Sequence, residues 1–254
     1  ERIRACKNRR HVTLVTAYDY PTGRLLDEAG VDIVLVGDSL GMVVLGFPDT
    51  THVTLDHMLH HVEATARGVK NALLVGDMPI HSYDTVEQAV QSAKKLFLAG
   101  ADAVKLEGGA AQAGNIRAIV EAGIPVVGHI GLLPQKVLEE GGYKIKGKSS
   151  AEEEALVRDV EAVAEAGACA VVVEGVTPHA ARQVTVHSSI PTLGIGSGSH
   201  TCDGDVVVIH DLVGAFPWFI PAFVKPRADV AGSMTAAVKE WMEDCYTEPG
   251  SISS

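Results

Sequence analysis

Asp32-Ile-Val-Leu-Val-Gly-Asp-Ser-Leu-Gly41 is an apolar run that stops at a carboxylate, Asp38, with the hydroxyl of Ser39 beside it. The same design returns in Ala72-Leu-Leu-Val-Gly-Asp77, Asp102-Ala-Val-Lys-Leu-Glu107, Pro125-Val-Val-Gly-His129 and Cys169-Ala-Val-Val-Val-Glu174. Apolar runs of this length read as strands buried on both faces of a parallel sheet. A polar group at the carboxyl end of each strand is where an α/β barrel keeps its chemistry. The pattern predicts the α/β class and a (β/α)8 (TIM) barrel, one domain over residues 1–254 with a basic lead-in and a loose tail at 248–254.

Working outward, residues 1–11 are basic and irregular and 12–17 form the first strand. Helices are expected over 20–29, closed by Gly30, over 54–70 with Thr54 as N-cap, over 85–98 with Thr85 as cap, and over 111–122. Ser150 is expected to cap a charged helix to Ala166, and Pro178 to open one that runs to about Val186. The seventh strand is 192–197. Only eight residues then separate Ser197 from Val206, too few for a strand-connecting helix. Val206–His210 is therefore either the eighth strand or a short helix, and the last helix is Ala231–Cys245. The stretch 136–149 is long, glycine-rich and basic, and is expected to act as a lid.

The 254 residues suffice for one such barrel, which takes roughly this length. A net charge of −11 with no basic run argues against nucleic acid as a partner. No apolar run reaches the ~18 residues of a membrane span. Cys6, Cys169, Cys202 and Cys245 show no CxxC spacing, which fits a reducing, cytoplasmic setting.

Strand alternation sharpens the reading, because side chains two apart share a face. Ala103, Lys105 and Glu107 share one face of the fourth strand, and Ala170, Val172 and Glu174 one face of the sixth. If Val104 and Leu106 pack on helices, Lys105 and Glu107 point into the barrel mouth. Ionised groups are rarely buried unless paired or metal-bound. Either they form a site, or they are an ion pair that holds the barrel together. Asp38, Asp77 and Glu107 end three consecutive strands spaced ~4.8 Å apart, so they can share one hard cation, most simply Mg2+. Asp38 can alternatively cap the next helix. Glu174 ends a more distant strand and suits a general base, or simply a pairing residue. His129 can orient a substrate oxygen or serve the structure. His57 and His61 have the i,i+4 spacing of some zinc sites, but without a third ligand a solvated helix face is the better reading. Gly194-Ile-Gly-Ser-Gly198 is either a phosphate cradle or a place of close backbone approach. These residues together describe a metal-assisted enzyme that makes an enolate.

The ordered set Val15-Thr-Ala-Tyr-Asp19, Val36-Gly-Asp-Ser-Leu-Gly-Met42, Gly76-Asp-Met-Pro79 with Ser82-Tyr83, Val104-Lys-Leu-Glu-Gly-Gly109, Gly128-His-Ile-Gly-Leu-Leu-Pro-Gln135, Gly194-Ile-Gly-Ser-Gly198 and His210-Asp211 resembles the ketopantoate hydroxymethyltransferase family. The resemblance runs from about residue 11 to 245. It implies a barrel of the phosphoenolpyruvate/pyruvate superfamily that works as a homo-oligomer, a decamer. It implies that Asp38 and Asp77 hold the metal, with Glu107 bound directly or through water, and that Ser39 and Lys105 touch the keto acid. Glu174 resembles the base that takes the C3 proton, and His129 the residue near the new hydroxymethyl group. Mg2+ or another divalent cation and 5,10-methylenetetrahydrofolate would be the cofactor and co-substrate. Gly175 after the Glu and Asp205 in Cys202-Asp-Gly-Asp205 depart from the family pattern without touching a proposed catalytic group. The rival readings are a superfamily sibling that shares the enolate but not the folate, and a silent binding barrel. No cysteine loop of the sibling kind follows the fourth strand, and all five central residues of the site (Asp38, Asp77, Lys105, Glu107, Glu174) are in place, against a silent barrel.

Overall fold

A computed structural model describes residues 1–247; the tail 248–254, expected to be loose, lies outside the described residues. The strands are β1 (Val12–Thr16), β2 (Ile33–Val36), β3 (Leu73–Asp77), β4 (Ala103–Glu107), β5 (Val126–Gly131), β6 (Ala170–Glu174), β7 (Thr192–Ile195) and β8 (Gly204–Val207). They form a closed parallel barrel in chain order, β8 pairing back onto β1. Between them run α1 (Tyr20–Ala29), the short α2 (Leu40–Val43), α3 (Leu55–Ala66), α4 (Val86–Leu98), α5 (Ala113–Glu121), the short α6 (Val137–Glu140), α7 (Ser150–Glu165) and α8 (Pro178–His187). The barrel lies within one compact unit, Glu1–Val208. A second unit starts at Ile209 and carries α9 (Ile209–Leu212) and α10 (Val230–Thr247).

Helix starts follow the local chemistry. Asp19 caps α1 by accepting from Thr22 N, and Pro21 stands in its first turn. Thr54 and His57 form a capping box on α3, and Thr85 caps α4. Gly30 closes α1 at φ +83°, a left-handed conformation that glycine adopts without strain. The cap of α7 is Ser149 rather than Ser150, because its hydroxyl is the one that accepts from Glu152 N. The second and seventh strands are shorter than their apolar runs. The eighth begins at Gly204, ahead of the expected Val206, and the chain turns helical at Ile209, so each half of the expected alternative is realised. No helix joins β7 to β8. The segment 196–203 can reach about 26 Å, and a four-residue strand to be retraced spans only ~13 Å.

Inside the barrel, Val12, Leu14, Ile33, Leu35, Val75, Ala103, Val127, Ala170, Val172 and Leu193 pack together, and Ile3 and Cys6 plug the amino-terminal end. The basic lead-in thus closes the floor, and the inward acids and Lys105 lie at the opposite mouth. The expected alternation holds: Ala103 is interior while Lys105 and Glu107 extend the same face toward the mouth. All four cysteines are free. Among the described residues no helix is long and apolar enough to cross a membrane.

One buried acid is structural. Asp27, in the last turn of α1, accepts from Asn71 N and Ala72 N at 2.8 Å each and from Asn71 Nδ2 at 2.9 Å, tying α1 to the start of β3. Burial acts to raise its carboxyl, but these donors outweigh it and hold the group below the usual carboxylate range. Its contribution is therefore complete above the unfolded value near 4 and is lost as pH falls through the native value. Asp27→Ala should cost on the order of 3 kcal/mol at neutral pH by stranding those N–H groups. Urea midpoints should show the gap from wild type narrowing in acid.

Candidate active site

The mouth holds four ionisable side chains out of water. Lys105 is 4 % exposed, Asp77 1 %, and Asp38 and Glu107 are equally buried. The register explains their meeting: Asp77 lies opposite Lys105 across β3 and β4, and Glu107 opposite His129 across β4 and β5. Lys105 Nζ donates to both oxygens of Asp77, at 2.6 and 2.7 Å. The lysine's ion pair is therefore with Asp77, not with Glu107 on its own strand. Asp38, two residues past β2, donates its N–H to Asp77 Oδ2 at 3.2 Å. Its carboxylate accepts from Gln135 Nε2 at 2.8 Å and does not cap α2, whose N-cap Ser39 makes no side-chain cap bond. Ser39 Oγ instead meets Tyr18 OH at 2.8 Å.

His129 is buried between two acids. Its Nδ1 is 3.6 Å from Glu107 Oε1 and its Nε2 3.3 Å from Glu174 Oε2, yet neither nitrogen is aligned for a hydrogen bond. Burial pushes the imidazole down, so it stands neutral. Glu174 differs from the other acids: its side chain is 22 % exposed and opens toward the mouth. Glycine at 131, opposite Glu174 in the β5–β6 register, is required there. Its φ is +95°, and a Cβ would come within 2.3 Å of the Glu174 carbonyl oxygen.

The electrostatics follow from three carboxylates sharing one lysine. Burial, with Asp77 beside it, pushes Asp38 up to about 7 against the pull of Lys105 and Gln135. Burial likewise holds Glu107 well above the carboxylate range, Lys105 opposing and Asp38 and Asp77 adding to the rise. For Lys105 burial acts downward, but the surrounding carboxylates outweigh it and keep the ammonium charged.

Asp38, Asp77 and Glu107 thus enter one buried network through Lys105 and Gln135. Among the described residues no three His, Cys, Asp or Glu side chains are grouped at metal-ligating spacing. The donor set still suits a hard divalent cation: all oxygen, three carboxyl groups to one lysine, and with Glu107 Oε1 buried and lacking a hydrogen-bond partner.

Other motifs resolve as structure. His57 is spent on the α3 capping box and His61 Nδ1 on Tyr18 O at 2.6 Å, so the pair does not converge as zinc ligands. In the 194–198 segment, Ser197 Oγ donates to Val173 O at 2.7 Å, and a Cβ on Gly198 would sit 2.9 Å from Pro178. These glycines permit close approach. The stretch expected as a lid is anchored at its far end, where Lys146 N donates to Gly175 O and Thr177 N to Lys146 O. Farther forward, half-exposed Tyr143 reaches Met42 Sδ at 3.9 Å.

Three site residues escaped the reading of single side chains: Tyr18, Tyr83 and Gln135. All lie in loops past strand ends and all are uncharged. The only signal for them was their place in the ordered motifs.

A closed parallel barrel with an acid–lysine network at its carboxyl mouth defines a (β/α)8-barrel enzyme. Among solved structures its fold is similar to phosphoenolpyruvate phosphomutase from Streptomyces platensis (TM-score 0.67, 18% identity, 94% of this chain and 86% of that one). It is also similar to a phosphonopyruvate hydrolase solved with oxalate and Mg++ (TM-score 0.62, 16% identity, 96% and 98%). Sequence goes further. The family model for ketopantoate hydroxymethyltransferase matches residues 1–249, and the chain belongs to that family. It is 48% identical over 244 residues to the 3-methyl-2-oxobutanoate hydroxymethyltransferase of Oleidesulfovibrio alaskensis, covering 95% of this chain and 84% of the relative. It is 50% identical over 239 residues to that of Ignicoccus hospitalis, covering 94% and 90%.

Since Asp38 titrates near 7 in the folded state and near 4 unfolded, its burden on the metal-free protein is absent below pH 4, grows between, and is complete above 7. Asp38→Asn should raise the melting temperature of chelator-treated protein by several degrees at pH 8 and leave it unchanged at pH 4, as calorimetry at the two values would show.

Proposed function

We propose that the chain transfers a hydroxymethyl group from 5,10-methylenetetrahydrofolate to 3-methyl-2-oxobutanoate, giving 2-dehydropantoate through an enolate. The observation that carries the reading is the division of labour among the mouth's acids. Three are buried around Lys105, while Glu174 stands apart, its side chain 22 % exposed, against neutral His129. The family and the names of the relatives support the acceptor and the group transferred.

Asp38, Asp77 and Glu107 would hold Mg2+ or another divalent cation, which when bound supplies electrophilic help to the keto oxygen. Lys105 keeps a fixed positive charge in a dry pocket, where it offsets charge developing on that oxygen. Ser39, hydrogen-bonded to Tyr18, contacts the keto acid from the β2 side. Glu174 takes the C3 proton and the electron pair passes into the enolate. C3 then bonds to the one-carbon unit, both bonds of that carbon to folate nitrogen break, and water supplies the hydroxyl; the C3 proton and one water proton end on the two folate nitrogens, giving 2-dehydropantoate and tetrahydrofolate. His129, unprotonated and free of other bonds, takes up the new hydroxyl. Self-association is supported by Met234, Val238, Trp241 and Met242, apolar side chains exposed on α10. A decamer in a reducing, cytoplasmic setting is the form the family resemblance favours.

Glu174→Gln should lower solvent exchange of the C3 proton of 3-methyl-2-oxobutanoate by about 100-fold or more, while keto-acid affinity changes little. Exchange is read by proton NMR in D2O without folate, and a wild-type rate would remove Glu174 from the role of base.

A further inference from the structure

Gln135 is the residue of the mouth whose bonding is most completely determined. It is 3 % exposed and sits in the turn Pro134–Lys136 that opens the long connection after β5. Its two amide hydrogens go to Asp38 Oδ2 at 2.8 Å and Met78 O at 3.0 Å. Its backbone N–H goes to Glu107 Oε2 at 3.1 Å. Its carbonyl oxygen accepts from Tyr83 OH, and the Tyr83 backbone carbonyl is itself held by Asn115 Nδ2 at 2.8 Å. One neutral residue therefore grips an oxygen on each of two acids that come from different strands, and leaves Glu107 Oε1 with no hydrogen-bond partner.

The orientation of the amide is decisive. Turned over, it would set its oxygen against the Asp38 carboxylate and the Met78 carbonyl, and its NH2 group against a hydroxyl already pointing at it. Tyr83 makes the productive orientation the favoured one by donating to the oxygen. Both residues are buried and neither carries charge, so their hydrogen bonds are strong and sensitive to orientation in this dry setting. A carboxylate held by an outer hydrogen bond presents its remaining oxygen in a set direction, which is how outer residues tune a metal site.

We propose that Gln135, oriented by Tyr83, is a positioning residue that fixes the Asp38 and Glu107 carboxylates for a divalent cation. The inference rests on the cation reading given above and adds a claim about how that set is assembled. If Tyr83 acts through Gln135, to which its hydroxyl donates, the two substitutions do not add.

The test is direct titration of Mn2+ into the purified full chain, followed by electron paramagnetic resonance, with melting temperature recorded alongside. Tyr83→Phe deletes one oxygen and keeps the packing, so the melting temperature should stay near wild type. Gln135→Met keeps length and volume while removing every side-chain bond. The Mn2+ dissociation constant should rise about 10-fold in Tyr83→Phe and at least as much in Gln135→Met. The double variant should match Gln135→Met alone, as residues acting in series do. Asp77→Ala should abolish binding. Unchanged Mn2+ affinity in both single variants, or losses that add in the double variant, would overturn the proposal while leaving the cation reading intact. No Mn2+ binding by wild type, or full binding by Asp77→Ala, would overturn the cation reading and this inference with it.

Discussion

Lys105 closing on both oxygens of Asp77 inside the barrel is the contact on which the mouth depends. An ammonium and a carboxylate taken out of water each lose hydration worth several kcal/mol, and only close, two-pronged pairing recovers it. With the pair formed, the interior tolerates charge at that level. Without it, Lys105 would have no fixed partner, and the one cation that offsets Asp38 and Glu107, both already driven up by burial, would no longer be held in place. The apolar layers beneath, from Val75 and Ala103 down to Ile3 and Cys6, keep water from entering below and force the charged groups to satisfy one another. The network is thus a product of where the barrel is dry.

Much of this was legible because a strand has period two. Once 103–107 is read as a strand with Val104 and Leu106 turned outward, Lys105 and Glu107 have no other place to go. The same parity put Val172 and Glu174 inside. The partner of Lys105 was not legible, since parity fixes a face but not a register, and register decided for Asp77. β8 was half legible: its glycine start carries no strand signal, and its return from β7 is shorter than the crossovers on which parallel sheets usually rely. Gln135 and Tyr83 were legible only as members of ordered motifs, not as side chains of the site. Charge announces itself in a sequence because its burial is costly. A neutral amide in a loop is ordinary until the fold shows what it touches.

Glu174 follows from the same geometry one step nearer the solvent. In the β5–β6 register His129 lies opposite Val172, and the next inward position on β5 is Gly131, which offers no side chain. There is no room for one, because a Cβ would meet the Glu174 carbonyl oxygen at 2.3 Å and the Val176 side chain at 2.8 Å. That carboxylate keeps contact with water on one side and with the His129 ring on the other. Asp38 and Glu107, by contrast, are sealed beneath. The buried acids and the partly exposed one are chemically the same group, and it is depth in the barrel that sets how much water each one meets. A side chain at position 131 would therefore damage more than a turn. It would press on the Glu174 carbonyl and the Val176 side chain and so displace the strand end that carries Glu174.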